Sequence, residues 1–310
     1  MERSKKGTPV SNFLSRIASA PISWGICEVP GWGAMLPTPR VLSEMSGLGL
    51  PATELGAPGF LPEEPAAIMA MLNSVNMSLI GGFTPLVVHD RSQENETISQ
   101  ARATAALFQR AGATKFITAP VTDWGWSEPH PPTAEELKQM NKIFGIVDEI
   151  CAEHGLEQVM HPHVLTMVET DSDVQKVLDT CDVHWCLDTG HLAIGGTDPV
   201  AFAKEAFDRV GHVHLKDVDL SKVAPVMNRE KSIMQGVQEG LFTELGQGDV
   251  DIAGVIEALE SRGYQGWYVI EQDTAITAGM PNEGEGPIEQ VTNSLNYLKQ
   301  TVAPKVASRV

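Results

Sequence analysis

The sequence is short of positive charge, cysteine and aromatic side chains. Lys and Arg number 22 against 40 Asp and Glu, a formal charge of −18 at neutral pH. Nucleic acid and anionic membrane surfaces are held by clustered Lys and Arg, so both drop out as partners and a small polar substrate is favoured. Four cysteines, Cys27, Cys151, Cys181 and Cys186, are too few and too scattered for a disulfide framework. They read as reduced thiols of a cytoplasmic protein. No apolar run approaches the roughly 18 residues of a membrane span. The first 16 residues carry Arg3, Lys5, Lys6 and Arg16 but lack the apolar stretch of a signal peptide. No repeat, low-complexity tract or Gly/Ser linker divides the 310 residues.

What is present is alternation. Strand-type runs are predicted at residues 17–22, 52–55, 77–81, 115–119, 157–161, 183–187, 211–215 and 267–271. Helices are predicted at 40–47, 64–75, 94–111, 133–154, 172–180, 198–207, 251–262 and 288–302. The fourth helix opens on a capping-box pair, Thr133 with Glu136, and stops at Gly155. Eight strands alternating with eight helices point to an α/β protein, a single-domain (β/α)8 TIM barrel over residues 17–302, with tails at 1–16 and 303–310. Residues 218–250 interrupt the rhythm between the seventh strand and its helix, too long for an ordinary βα loop. They form a lid or a subunit contact.

Several strand-type runs end on carboxylate and imidazole groups. Asp188 and His191 follow 183–187, His214, Lys216 and Asp217 close 211–215, and Glu271 ends 267–271. The run at 157–161 opens into His161-Pro-His163 and, a few residues on, Glu169. In a barrel these ends are neighbours, so Glu169, Asp188, His214 and Glu271 form a candidate hard, oxygen-rich site for one divalent cation, Mn²⁺ first, with Co²⁺ or Mg²⁺ as alternatives.

Leu187-Asp-Thr-Gly-His191, Gly211-His-Val-His-Leu-Lys-Asp217 and Val269-Ile-Glu271 resemble the xylose-isomerase-like TIM-barrel superfamily of sugar isomerases and epimerases. His161-Pro-His163, Leu245-Gly-Gln-Gly-Asp249 and Gly263-Tyr-Gln-Gly-Trp-Tyr268 are most similar to its inosose (keto-inositol) dehydratase family, enzymes of inositol catabolism. The resemblance implies that Glu169, Asp188, His214 and Glu271 ligate the metal, that Glu169 and Glu271 also move protons, and that His191 faces the substrate. It implies a homo-oligomer, dimer or tetramer. The approach to Glu169, Met167-Val168, departs from the asparagine-aromatic approach common in the family.

A cation chelating a ketone and its neighbouring hydroxyl stabilises an enediolate. A base then removes the α-proton; loss of a β-hydroxyl gives a dehydratase, return of the proton an epimerase or isomerase. The expected function is accordingly a metal-dependent lyase acting on a keto-inositol or related keto-sugar, with a sugar isomerase/epimerase and a non-catalytic ligand-binding barrel as alternatives. Candidate substrate contacts are His161, His163, Lys216, Trp24, Glu54 and Trp124, each at or just past a strand end. For Trp24, Trp124 and Trp126 a plain packing role competes with stacking on a sugar ring, and for Glu54 a salt bridge in the barrel mouth competes with a hydroxyl contact.

Overall fold

The computed structural model of the chain describes residues 13–308. Its strands are β1 (Ile17–Ser19), β2 (Ala52–Thr53), β3 (Ser78–Leu79), β4 (Phe83–Leu86), β5 (Lys115–Pro120), β6 (Glu157–Met160), β7 (Trp185–Asp188), β8 (Val210–Leu215), the small pair β9 (Asp217–Val218) and β10 (Phe242–Thr243), and β11 (Tyr268–Ile270). Apart from β9 and β10 they form one parallel sheet, ordered β3-β2-β1-β11-β8-β7-β6-β5-β4. Every residue of β1, β7, β8 and β11 is buried, as parallel strands covered on both faces require.

The two ends of that order, β3 and β4, are consecutive in the chain, and the ring closes there. Ile80, Gly81 and Gly82 bridge them, with Lys115 N donating to Ile80 O (2.9 Å), Ile117 N to Gly82 O (3.2 Å) and Leu55 N to Gly81 O (2.9 Å). A Cβ on Gly81 would strike the Lys115 carbonyl, and one on Gly82 would sit 2.9 Å from Leu55 Cβ, so this corner needs glycine. Counted together, β3 and β4 are one kinked strand of an eight-stranded barrel. Residues 83–86 were expected in a loop; Pro85 hides the strand, because proline inside a run argues against one.

The helices are α1 (Thr38–Gly47), α2 (Pro65–Ser74), α3 (Glu94–Arg110), α4 (Ala134–Glu153), α5 (Asp171–Thr180), α6 (Thr189–Ile194) and α7 (Pro199–Glu205). Then come α8 (Val223–Met227), α9 (Ile233–Gln238), α10 (Ile252–Glu260), α11 (Pro287–Tyr297) and α12 (Ala303–Ala307). The capping box of α4 is present: Thr133 N donates to Glu136 Oε2 (2.7 Å) and Glu136 N to Thr133 Oγ1 (3.3 Å). None of the described helices is long and apolar enough to cross a membrane.

Both tail boundaries move outward. A 3-10 turn, Phe13–Arg16, packs under the barrel, with Phe13 buried edge-on against Tyr268 (5.9 Å) and Arg16 paired with Glu260 at 2.7 Å. At the other end, α12 buries Val306. Residues 1–12 and 309–310 of the expected tails lie outside the described residues.

The insertion is an ordered unit containing α8 and α9, tied at its base by antiparallel β9 and β10. Asp217, fully buried, accepts from Gly246 N (2.8 Å), Gly248 N (3.0 Å) and Val250 N (3.0 Å), fastening the returning chain. A side chain at Gly248 would collide with that carboxylate, which explains the second glycine of the Leu245–Asp249 motif.

Candidate metal centre and active site

Parallel strands present their C-terminal ends to one mouth, and four side chains converge there. His161 follows β6, Asp188 ends β7, His214 lies near the end of β8 and Glu271 follows β11. One donor atom from each lies within 4.8 Å of all the others. His161 Nε2 is 3.1 Å from His214 Nδ1 and 3.3 Å from Asp188 Oδ2, and His214 Nδ1 is 3.5 Å from Asp188 Oδ2. Glu271 Oε2 presses on His214 Nδ1 without hydrogen-bond geometry and has no hydrogen-bond partner.

The surroundings fix each head. Asp188 caps α6, its Oδ1 accepting from Gly190 N (2.9 Å) and His191 N (2.8 Å), so that Oδ2 alone faces the cluster. Glu54, just past β2 and 4 % exposed, places Oε1 at 2.9 Å from His214 Nε2 and 2.8 Å from His212 Nε2. A carboxylate oxygen only accepts, so His214 carries a proton on Nε2, which leaves Nδ1, facing the cluster, as the nitrogen a metal would take. Burial favours protonated Glu54, but His214 and His212 outweigh it and hold the carboxyl far below its usual range. Burial likewise opposes charge on His214, yet Cys186, Glu271 and Glu54 raise its proton affinity well above the ordinary imidazole value. The cluster demands positive charge at its centre. Two imidazole nitrogens and two carboxylate oxygens brought together, one of the oxygens without a hydrogen bond, fit a divalent cation.

Around this centre lie groups able to meet a substrate. Lys216, 2 % exposed, is 2.6 Å from Asp273 Oδ1, 3.6 Å from Glu271 Oε2 and 3.8 Å from Asp188 Oδ2. Burial would strip its proton; Asp273, Glu271 and Asp188 retain it. Burial lifts Asp273 to about 6 against the pull of Lys216. His191 Nε2 is 3.4 Å from Lys216 Nζ, and its ring lies 3.8 Å from that of His163. Burial keeps both imidazoles neutral at pH 7, that of His163 pushed down to about 3.

The expected site is thus partly rearranged. Asp188, His214 and Glu271 come together, but His161 stands where Glu169 was expected. Glu169 Oε1 accepts from Leu165 N (2.7 Å) and Oε2 from Arg229 Nη2 (2.5 Å) on the insertion, and the residue lines a separate cleft of about 80 Å³ with His130 and Asp173. Glu54 braces His214 from within the barrel instead of reaching a substrate. Trp24 is fully buried and donates its indole N–H to Glu44 on α1 (2.8 Å); the 3-10 turn Pro21–Trp24 swings it into the core. Trp124 bonds Gln93 Oε1 (3.0 Å). Its neighbour Trp126 reaches the site, stacked on Phe83 (5.9 Å, 14°) and edge-on to His163 (5.9 Å). No sequence motif marked Phe83, Phe242 or Asp273, and Arg229 stands out in the sequence only as a basic residue of the insertion. Phe83 meets His161 and His163 at 5.6 and 5.7 Å, and Phe242 flanks His191 at 5.9 Å. Asp273 had a signal: it lies two residues past Glu271, the spacing that returns a side chain to the same face of an extended chain.

A family model described as xylose isomerase-like TIM barrel matches residues 42–301. The chain belongs to that family. It is 31% identical over 275 residues to the inosose dehydratase of Geobacillus kaustophilus, covering 84% of this chain and 89% of that one. It is also 31% identical over 267 residues to the rhizopine catabolism protein MocC of Rhizobium meliloti (83% and 81%). Solved structures share the fold: an L-ribulose 3-epimerase (TM-score 0.67, 15% identity, 95% and 96% covered) and a probable 3-DHS dehydratase of Bacillus anthracis (0.66, 14%, 92% and 99%). The expectation of an enzyme agrees with these relatives.

Proposed function

We propose that the chain is a metal-dependent lyase that dehydrates a keto-inositol or closely related keto-sugar. The observation that carries this reading is the exchange of Glu169 for His161 at the cluster. Epimerisation needs proton-moving groups on both faces of the substrate carbon; here the second expected carboxylate is engaged by Arg229 and Leu165. Of the carboxylates beside the ammonium of Lys216, Asp188 and Asp273 are engaged in hydrogen bonds, and Glu271, its side chain 13 % exposed, keeps an oxygen without one. Glu271 and Lys216 are a base and an acid, the pair an elimination needs. The names of the inosose dehydratase relatives point the same way.

His161, Asp188, His214 and Glu271 would hold the cation, which when bound supplies Lewis acidity to the ketone oxygen and its enediolate. Two nitrogen donors favour Mn²⁺ or Co²⁺ over Mg²⁺. Glu271 takes the α-proton. Lys216 gives its proton to the β-hydroxyl, which leaves as water with its bonding pair while the α,β double bond forms. The ammonium is restored by the proton on Glu271, 3.6 Å away, so the cycle closes without an oxidant or reductant. Phe83 and Trp126 offer apolar faces to the ring C–H surface. Incubating the Mn²⁺-loaded protein with 2-keto-myo-inositol should generate an absorbing enone; formation of a diastereomer with no enone would favour the epimerase.

A further inference from the structure

Directly below Asp188 on the inward face of β7 sits Cys186, fully buried, with Ile117 and Val159 beside it. A small buried thiol among aliphatic neighbours is ordinarily core filling. Here, however, its Sγ lies within 4.8 Å of ring nitrogens of both His161 and His214. His161 is 1 % exposed and its Nδ1 has no hydrogen-bond partner. The two imidazoles therefore belong to two donor sets, one completed by the carboxylates of Asp188 and Glu271, the other by a sulfur. The sets differ in softness. Carboxylate suits Mn²⁺ and Mg²⁺, whereas thiolate with imidazole suits Zn²⁺ and its heavier congener Cd²⁺, and three protein ligands with one open position are usual for reactive zinc.

We infer that His161, His214 and Cys186 form an alternative site for soft divalent cations, overlapping the centre proposed above, so that Zn²⁺ or Cd²⁺ is bound with Cys186 as a ligand and displaces the harder metal. The inference rests on the proposed metal centre. Capture of the cation breaks the S–H bond and releases that proton to solvent, with no change of oxidation state. Glu271 is not a member of the softer set, so a cation held there leaves the base without its metal partner, and Zn²⁺ acts as an inhibitor.

The test compares wild type with Cys186→Ser and Cys186→Ala. Zn²⁺ and Mn²⁺ affinities are measured by competition with a chromogenic chelator, and the ultraviolet spectrum is recorded on adding Cd²⁺ alone. Wild type is expected to show thiolate-to-Cd²⁺ charge-transfer absorption, lost in both variants. Zn²⁺ affinity should fall by a factor on the order of ten or more on losing the thiolate, while Mn²⁺ affinity stays the same. Absence of the band in wild type overturns the inference whatever the variants do. So does a Zn²⁺ affinity unchanged in a folded variant, or an equal fall for both metals, which would make Cys186 purely structural. If wild type binds neither Mn²⁺ nor Zn²⁺, the metal centre itself fails; if it binds both and Cys186 is indifferent, only this inference does.

Discussion

One oxygen of Glu54 serves two imidazoles, His214 Nε2 at 2.9 Å and His212 Nε2 at 2.8 Å, in a layer sealed from solvent beneath the barrel mouth. The pairing leaves Nδ1 of His214 as the nitrogen available to the metal proposed above, so Glu54 acts on that site through His214.

Glu54→Ala should therefore weaken Mn²⁺ binding by about 10- to 100-fold, the range found when such a supporting carboxylate is lost. Chelator competition on protein with a native circular dichroism spectrum measures it. Unchanged affinity would mean that packing alone orients His214.

Lys216→Met should lower turnover by about 10²- to 10⁴-fold, the usual contribution of a positioned acid, with Mn²⁺ affinity retained. Comparing kcat with metal titration separates a proton donor from a structural cation. An equal loss of metal would assign Lys216 to holding the centre together.

Arg229 ties the insertion to Glu169, both side chains largely shielded. Arg229→Ala should expose the 218–250 segment to limited proteolysis and raise KM several-fold. Its cost in stability, about 1 kcal/mol, lies between that of an exposed pair and that of a buried one. Cleavage at the wild-type rate would show that the insertion is held by Asp217 and the β9–β10 pair without this contact.

Away from the site, Glu157 contacts Lys115 and bonds His184 (2.7 Å). Burial opposes ionisation, but His184 and Lys115 lower Glu157 from 4.5 to about 2, and Glu157 raises His184 above 6.5. A depressed carboxyl stabilises the fold above its unfolded pKa and loses that contribution as pH falls through its folded one. A raised imidazole stabilises below its unfolded pKa and loses its contribution as pH rises through its folded one. Both act in full between about 4.5 and 6.5. Partial exposure keeps the effect under about 1 kcal/mol. Glu157→Gln should lower Tm in that window and flatten its pH dependence; a parallel downward shift at all pH values would deny the ion pair a role.

The barrel was legible where local rules act alone. Thr133 and Glu136 marked a helix start, and the runs ending in Asp188, His214 and Glu271 marked buried strands, because burial on both faces leaves a near-continuous apolar stretch. The closure of the ring was not, since Gly81 and Gly82 are poor strand residues required by the close approach of Lys115 and Leu55, and Pro85 lacks the N–H that a strand residue donates. Glu169, the expected fourth member, lies away from the cluster for a similar reason. The chain turns between His161 and Glu169, with Leu165 at φ 68° and His163 N bonded to Val168 O (3.1 Å), and that turn carries Glu169 toward Arg229. A strand delivers the residue at its own end, here His161, while a carboxylate eight positions later follows whatever path the loop takes.

The most direct test is an anomalous-scattering map from a crystal soaked in Mn²⁺. A single peak bounded by His161, Asp188, His214 and Glu271, with Glu169 still paired to Arg229, is the predicted result. A peak ligated by Glu169 in place of His161, or no peak at the barrel mouth, would contradict it.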